Sequence, residues 1–353
     1  MKHSFSYYYG AILGGAIGDA LGAPVEFMNY EQIEDIIGPD GVKDFIIPPE
    51  QKYALITDDT QLTLFTAEGL LRSITRAHRK NKERTLQDTS TTVHRAYLRW
   101  LYTQGLRTVC WSKKDYDGWL VKVGRLHAYR EPGVTCLTAL GKGIMGTLDH
   151  AVNESLTCGC VMRVMPVGLV ESGERVFDIA IRLAAITHGN PTAYLSAGVF
   201  AYIIKQIIEG KEIEEAVNRA RQRLKQETNH EELLELIDKA VSKAKEKTPS
   251  REKMELIGKG FLAHEVLAMA IYAALSYPED YTKAVLLAVN HSGDSDSIAA
   301  ITGSILGASL GYEAIPEAFR LQIELSEEMK ELAMDLETYY EEGERRLEKY
   351  PAW

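Results

Sequence analysis

Two short acidic clusters carry the chemistry this chain can offer: Thr57-Asp58-Asp59-Thr60 and Gly293-Asp294-Ser295-Asp296-Ser297. Each opens a segment that reads as a helix, so capping alone would account for either one. A Thr or Asp at the N-cap, with acids in the first turn, satisfies free N–H groups and complements the helix dipole. Together the clusters ask for more. Each sets two carboxylates beside hydroxyls, after stretches rich in apolar residues where unpaired charge is costly, and a bound cation removes that cost. The donors are all oxygen, which suits a hard ion such as Mg²⁺ or Mn²⁺ and not zinc. Asp58, Asp59, Asp294 and Asp296 formally balance two divalent ions, and two-metal sites take bridging carboxylates from separate elements. Glu26, in Gly22-Ala23-Pro24-Val25-Glu26-Phe27, is a third source of a carboxylate; a plain surface-loop acid is the alternative for it.

The elements that must position these groups are helical. Apolar residues recur with a period near 3.6 over Thr57–Ile74, Val176–Thr187, Thr192–Ile208, Ile213–Lys225, His230–Ala244, Ala263–Leu275, Tyr281–Val289 and Ser297–Leu310, and strand alternation is scarce. The charged stretch Glu209–Lys253 reads as a pair of solvated amphipathic helices, and Glu317–Tyr350 as one further acidic-basic helix. Gly14, Gly18 and Gly22 recur every four residues, as do Gly303, Gly307 and Gly311, preceded by Ala299. On a helix that spacing makes a smooth ridge along which two backbones can approach closely. Packing of one ridge on the other would join the two ends of the chain and bring the Asp19–Glu26 region beside the loop before Ser297.

In chain order, Gly18-Asp19-Ala20-Leu21-Gly22 with Glu26, Thr57-Asp58-Asp59-Thr60, Val161-Met162-Arg163-Val164-Met165-Pro166, Thr187-His188 and Gly293-Asp294-Ser295-Asp296-Ser297 resemble the motifs of the ADP-ribosylglycohydrolase family. The resemblance spans about residues 8 to 312. It implies an all-α, single compact multi-helix domain over residues 1–353 with two Mg²⁺ or Mn²⁺ ions at the base of a cleft. By motif match, Thr57, Asp58, Asp59, Asp294, Asp296 and Ser297 would be metal ligands, and Glu26 would match a mobile glutamate near the metals. Gly159, Cys160 and Met162 would hold the phosphates and distal ribose, and His188 would line the same pocket.

The implied reaction is removal of ADP-ribose from a modified side chain of a protein or peptide. Glu26, Asp59 and Asp294 would do the acid–base and metal work, and ADP-ribose would be the product. Arginine is the linkage expected, with an O-linked adduct such as serine, or a catalytically silent binding homologue, as alternatives. Two departures stand out. Many members carry Gly-Asn-Gly where this chain has Cys158-Gly159-Cys160, and no acid follows Pro132 in Pro132-Gly133-Val134, where the nitrogenase-reactivating glycohydrolase has an aspartate.

Composition agrees with a globular enzyme. The chain of 353 residues is 45% hydrophobic and 25% charged, ample for a buried core. A net charge of −10 argues against nucleic acid and anionic membranes as partners, so an anionic substrate would need local cations. No stretch of about 18 uninterrupted apolar residues occurs, and four cysteines in so long a chain make no disulfide framework, which points to a reducing, cytoplasmic setting. Cys158 and Cys160 lack zinc-ribbon spacing, His188 could simply face a helix C-terminal dipole, and Arg163 reads as a buried structural donor. A prenyl-diphosphate synthase is the rival among Mg²⁺-dependent helical enzymes. It wants acids at i, i+1 and i+4, and position 62 is leucine.

Overall fold

The computed structural model describes residues 4–108 and 116–352. The periodic segments fold there as helices: α1 (Phe5–Gly22), α2 (Tyr30–Ile37), α3 (Asp58–Lys80), α4 (Leu86–Thr103), α5 (Val134–Gly141), α6 (Met165–Val170), α7 (Arg175–Ala185) and α8 (Pro191–Ile208). The rest are α9 (Ile213–Leu224), α10 (Glu231–Ala244), α11 (Arg251–Glu255), α12 (Ala263–Ser276), α13 (Tyr281–Val289), α14 (Ser295–Leu310), α15 (Glu317–Gln322), α16 (Ser326–Thr338) and α17 (Glu344–Lys349). No sheet forms among the described residues, where the only extended pairings outside strands are the single bridges Ala54–Ile323 and Thr157–Leu262. The fold is all-α.

The two glycine ridges pack on each other, and α1 and α14 cross antiparallel at backbone contact. A Cβ at Gly14 would stand 2.4 Å from the Gly303 carbonyl oxygen, one at Gly18 2.1 Å from that of Ala299, and one at Gly22 2.4 Å from the Asp296 nitrogen. Gly10 extends the ridge against Gly307, whereas Gly311 leaves it and ends α14 with φ +84. The register places the end of α1 against the start of α14. Both helices are buried along nearly their whole length, and no single helix among the described residues is long and apolar enough to cross a membrane.

One expectation needs correcting, and one helix lay outside the periodic segments. The segment Glu317–Tyr350 is three helices, because the chain leaves helical geometry to pair with Ala54: Ala54 N–H donates to Gln322 O at 2.7 Å and Glu324 N–H to Ala54 O at 3.2 Å. Leu325 and Tyr339, with φ 59 and 63, mark the two breaks. Helix α4 falls outside the periodic segments because its first turns are Thr, Ser and Asp; capped by Thr85, it buries Val93, Tyr97, Trp100 and Leu101. It steadies α3 through a buried pair, Arg99 Nη2 to Glu68 Oε2 at 3.1 Å, and through Trp100 Nε1–H donating to Gln61 Oε1 at 2.9 Å.

Candidate metal centre

The centre begins with Asp19, on the last turns of α1 and fully buried. Its carboxylate accepts the backbone N–H groups of Thr57 and Thr60, each at 3.1 Å, and the Thr60 hydroxyl. An acid from one helix thus caps the start of another. Asp19 interrupts an otherwise apolar, glycine-ridged helix, and that interruption was the signal available for its role. Burial holds its carboxyl up at about 6 despite those donors.

Capping accounts for part of each acidic cluster and no more. Thr57 Oγ1 accepts from Asp59 N–H at 3.2 Å, and Asp294 Oδ1 accepts from Ser297 N–H at 3.1 Å. Asp58, Asp59 and Asp296 remain as buried carboxylates, 3–6% exposed, and none of them enters an ion pair among the described residues. Asp58 Oδ2 accepts the Gly133 N–H at 3.2 Å, so the residue after Pro132 meets the centre through its backbone. Asp59 Oδ2 has no hydrogen-bond partner among the described residues. Ligand atoms of Glu26, Asp294 and Asp296 lie within 4.8 Å of one another.

Glu26 is the partly exposed member of this group. It follows the short turn Ala23–Val25, and its neighbour Phe27 is held at φ 61, a left-handed conformation that a bulky residue seldom adopts. Phe27 N–H donates to Gly293 O at 3.0 Å and Gly293 N–H to Met28 O at 3.3 Å, which straps the Glu26 turn to the start of α14. Beside the strap lies a groove of about 330 Å³ lined in part by Phe27, Lys259, Phe261 and Gly293.

Burial is the main reason that these carboxyls resist ionisation. It lifts Glu26 to about 8, with Asp294 adding repulsion, and Asp58 to about 7; Asp59 and Asp296 are also pushed well above the ordinary range. An all-oxygen cluster of buried, mutually repelling carboxylates with an orphaned oxygen is a fit host for divalent cations. Asp58, Asp59, Asp294, Asp296 and Glu26 are the residues that would hold them.

A pH dependence follows. Glu26 in the folded, metal-free protein keeps a proton that the unfolded chain releases near 4.5, so its contribution to stability falls as pH rises from about 4.5 to about 8. An entering ion must displace that proton. Stabilisation by Mg²⁺ or Mn²⁺ over chelator is therefore expected to be larger at about pH 8 than at about pH 5. The comparison is made within each pH, because buried His94 and His291, lowered from 6.5 to about 4 by burial, destabilise the fold in acid whether or not an ion is bound. Thermal unfolding checks it, and equal metal-induced shifts at both values would show that these protons are not linked to the ion.

The Gly159 segment lies opposite. Residues Cys158–Cys160 form a 3₁₀ turn, in which side chains two residues apart point to different sides. Cys158 faces the centre: its S–H donates to Asp294 Oδ2 at 2.8 Å, and Ser297 Oγ lies 3.6 Å from its sulfur. The Cys160 side chain is turned away, fully buried with Sγ 3.6 Å from Ala193 O. Cys160 can touch a ligand only through its backbone, and the sulfur at the site belongs to Cys158, which the motif match did not single out. Met162 backs Ser297, with Sδ 3.9 Å from its hydroxyl.

His188 stands behind Gly159, fully buried. Burial, with the Arg163 charge adding to it, keeps the imidazole well below its usual range, hence neutral. This replaces the reading of an imidazolium facing a helix dipole. Its two nitrogens meet Thr187 Oγ1 at 2.8 Å and Thr157 Oγ1 at 3.0 Å, so the side chain props the turn instead of lining open space. Arg163 is the buried structural donor expected, bonded to Thr187 Oγ1 at 2.7 Å and stacked 4.3 Å from the Tyr97 ring centroid. Cys136, Cys158 and Cys160 are free thiols; Cys110 lies outside the described residues.

Comparison with known proteins bears on this arrangement. The family model described as ADP-ribosylglycohydrolase matches residues 2–346. An uncharacterized protein of Archaeoglobus fulgidus is 28% identical over 92% of this chain and 94% of its own length. A protein of Serratia proteamaculans named ADP-ribosylarginine hydrolase Tri1 is 24% identical over 93% of this chain and 78% of its own. Among solved structures, an ADP-ribosylglycohydrolase-related protein complex superposes with a TM-score of 0.67 at 24% identity, covering 96% of this chain and 99% of that one; it shows the same fold.

Proposed function

The chain belongs to the ADP-ribosylglycohydrolase family and is a glycosidic-bond hydrolase, and from that premise we propose that it cleaves ADP-ribose from arginine side chains with two divalent ions, Mg²⁺ or Mn²⁺, held between α3 and α14. The observation that carries the metal reading is the orphaned, buried Asp59 Oδ2 in a cluster whose Glu26, Asp294 and Asp296 ligand atoms converge within 4.8 Å. The arginine linkage is supported by relatives from Serratia proteamaculans and Pseudomonas putida, each named ADP-ribosylarginine hydrolase and each aligned over 93% of this chain.

Bound there, the ions would grip the distal ribose hydroxyls and lower the pKa of a water beside the anomeric carbon. The chain's own groups supply the rest. Glu26, the member open to solvent, can meet that water, orient it and take its proton as oxocarbenium-like charge builds on the sugar. Asp19 holds the start of α3 rigid, so that Asp58 and Asp59 keep their aim. Backbone N–H groups of the Gly159 turn, propped by neutral His188, would hold the diphosphate.

The test is release of free ADP-ribose from matched arginine-linked and serine-linked peptides with Mg²⁺, with chelator, and with Asp58→Ala. Release from the arginine peptide that needs the ion and is lost in the variant is the expected result. Release from the serine peptide alone would move the linkage to oxygen. No release from either, with ADP-ribose and ions still bound, would make the chain a binding homologue.

A further inference from the structure

Cys158 stands in the Cys158-Gly159-Cys160 segment, where many members of the family carry Gly-Asn-Gly, and it brings a thiol to the edge of the cation site. Its sulfur lies 2.8 Å from Asp294 Oδ2 and 3.6 Å from Ser297 Oγ. Asp294 is in turn within 4.8 Å of donor atoms of Glu26 and Asp296. The thiol therefore borders the same small volume into which the carboxylates converge. Asp59 Oδ2, buried and without a hydrogen-bond partner among the described residues, is independent evidence that a ligand belongs there. Cys158 is partly exposed, whereas Cys136 and Cys160 are buried and bonded elsewhere, to Gly159 O and Ala193 O.

We infer that Cys158 makes this a mixed oxygen–sulfur centre, in which a borderline or soft divalent cation bound on the Asp294 side takes a sulfur bond that a hard ion does not. The inference rests on the reading that the acidic cluster holds divalent ions. Thiolate donors favour softer metals, while carboxylate and hydroxyl donors suit Mg²⁺ and Mn²⁺. As the sulfur–metal bond forms, the thiol proton leaves to solvent and the sulfur lone pair is donated to the ion; no oxidant takes part. With Mg²⁺ present the thiol stays protonated and keeps its hydrogen bond to Asp294. The expected consequence is a metal preference shifted towards Co²⁺, Zn²⁺ or Cd²⁺ relative to a chain without a thiol at position 158.

The experiment titrates the reduced full chain with Co²⁺ and, separately, with Cd²⁺ and Mg²⁺, reading binding by calorimetry and the cobalt complex by its near-ultraviolet thiolate charge-transfer band. The band is expected in the unaltered protein and lost in Cys158→Ser, with Cd²⁺ affinity falling about 10- to 100-fold and Mg²⁺ affinity retained. Co²⁺ binding with no such band, or a band that survives the substitution, overturns the inference while the metal reading stands. Failure of every divalent ion to bind overturns both. Should Cys158→Ser fold poorly, slowing of thiol alkylation at Cys158 by Co²⁺ in the unaltered protein, located by mass spectrometry, supports the bond, and unchanged alkylation overturns it.

Discussion

Glu26→Gln is expected to slow metal-dependent ADP-ribose release about 10²- to 10⁴-fold, the range that follows loss of a positioned general acid or base. Glutamine keeps the shape and a hydrogen-bonding oxygen but cannot take a proton. Glu26 is partly exposed while the neighbouring aspartates are 3–6% exposed, so a water arriving from solvent meets it first. If it acts on that water, kcat falls and divalent-ion affinity changes much less. If instead it is chiefly a ligand, affinity and kcat fall together, because its donor atom shares the 4.8 Å cluster with Asp294 and Asp296. Calorimetric binding of Mg²⁺ or Mn²⁺ beside steady-state kinetics separates these cases. An unchanged kcat would remove Glu26 from the chemistry.

Gly18→Ala is expected to destabilise the protein by about 1–3 kcal/mol or more, the cost of overpacking a filled interior, and to weaken divalent-ion binding as well. A methyl group there would stand 2.1 Å from the Ala299 carbonyl oxygen and 2.4 Å from its carbon. Both belong to backbone, so neither can swing aside as a side chain would, and α1 and α14 must separate. Asp19 and the start of α14 move with them, which ties the packing defect to the centre. Gly141→Ala is the control: it lies at the end of α5 with no atom within 4 Å of the added methyl and is expected to be neutral or slightly stabilising. Denaturant unfolding of both variants, with and without Mg²⁺, measures the effect. Equal stability of the two would contradict backbone contact between α1 and α14.

Much of the site was legible because its residues are chemically conspicuous. Carboxylates beside hydroxyls at helix starts, and glycines every fourth residue, have few uses, and the structure brings those features together. Other parts gave weaker signals. Asp19 showed as a charge inside an apolar helix and as part of a matched motif, without a role, yet it accepts from two backbone N–H groups at the start of α3. Cys158 and Cys160 were indistinguishable as text; the 3₁₀ turn between them aims one sulfur at Asp294 and the other at Ala193. Helix α4 was hidden because its polar first turns mask the apolar face that packs on α3.

By itself the sequence determined the helical class, the positions of the clustered carboxylates and the small-residue ridges, since these depend on residue type and on spacing within one element. Only the tertiary structure decided which carboxylates share a volume, that Glu26 is the one open to water, that Leu325 and Tyr339 break the last helix, and that a thiol borders the centre. The physical reason is the same in each case. Local periodicity governs what a segment can bury, whereas the direction of a side chain at a turn, and the charge it meets there, are set by backbone geometry and by partners hundreds of residues away in the chain.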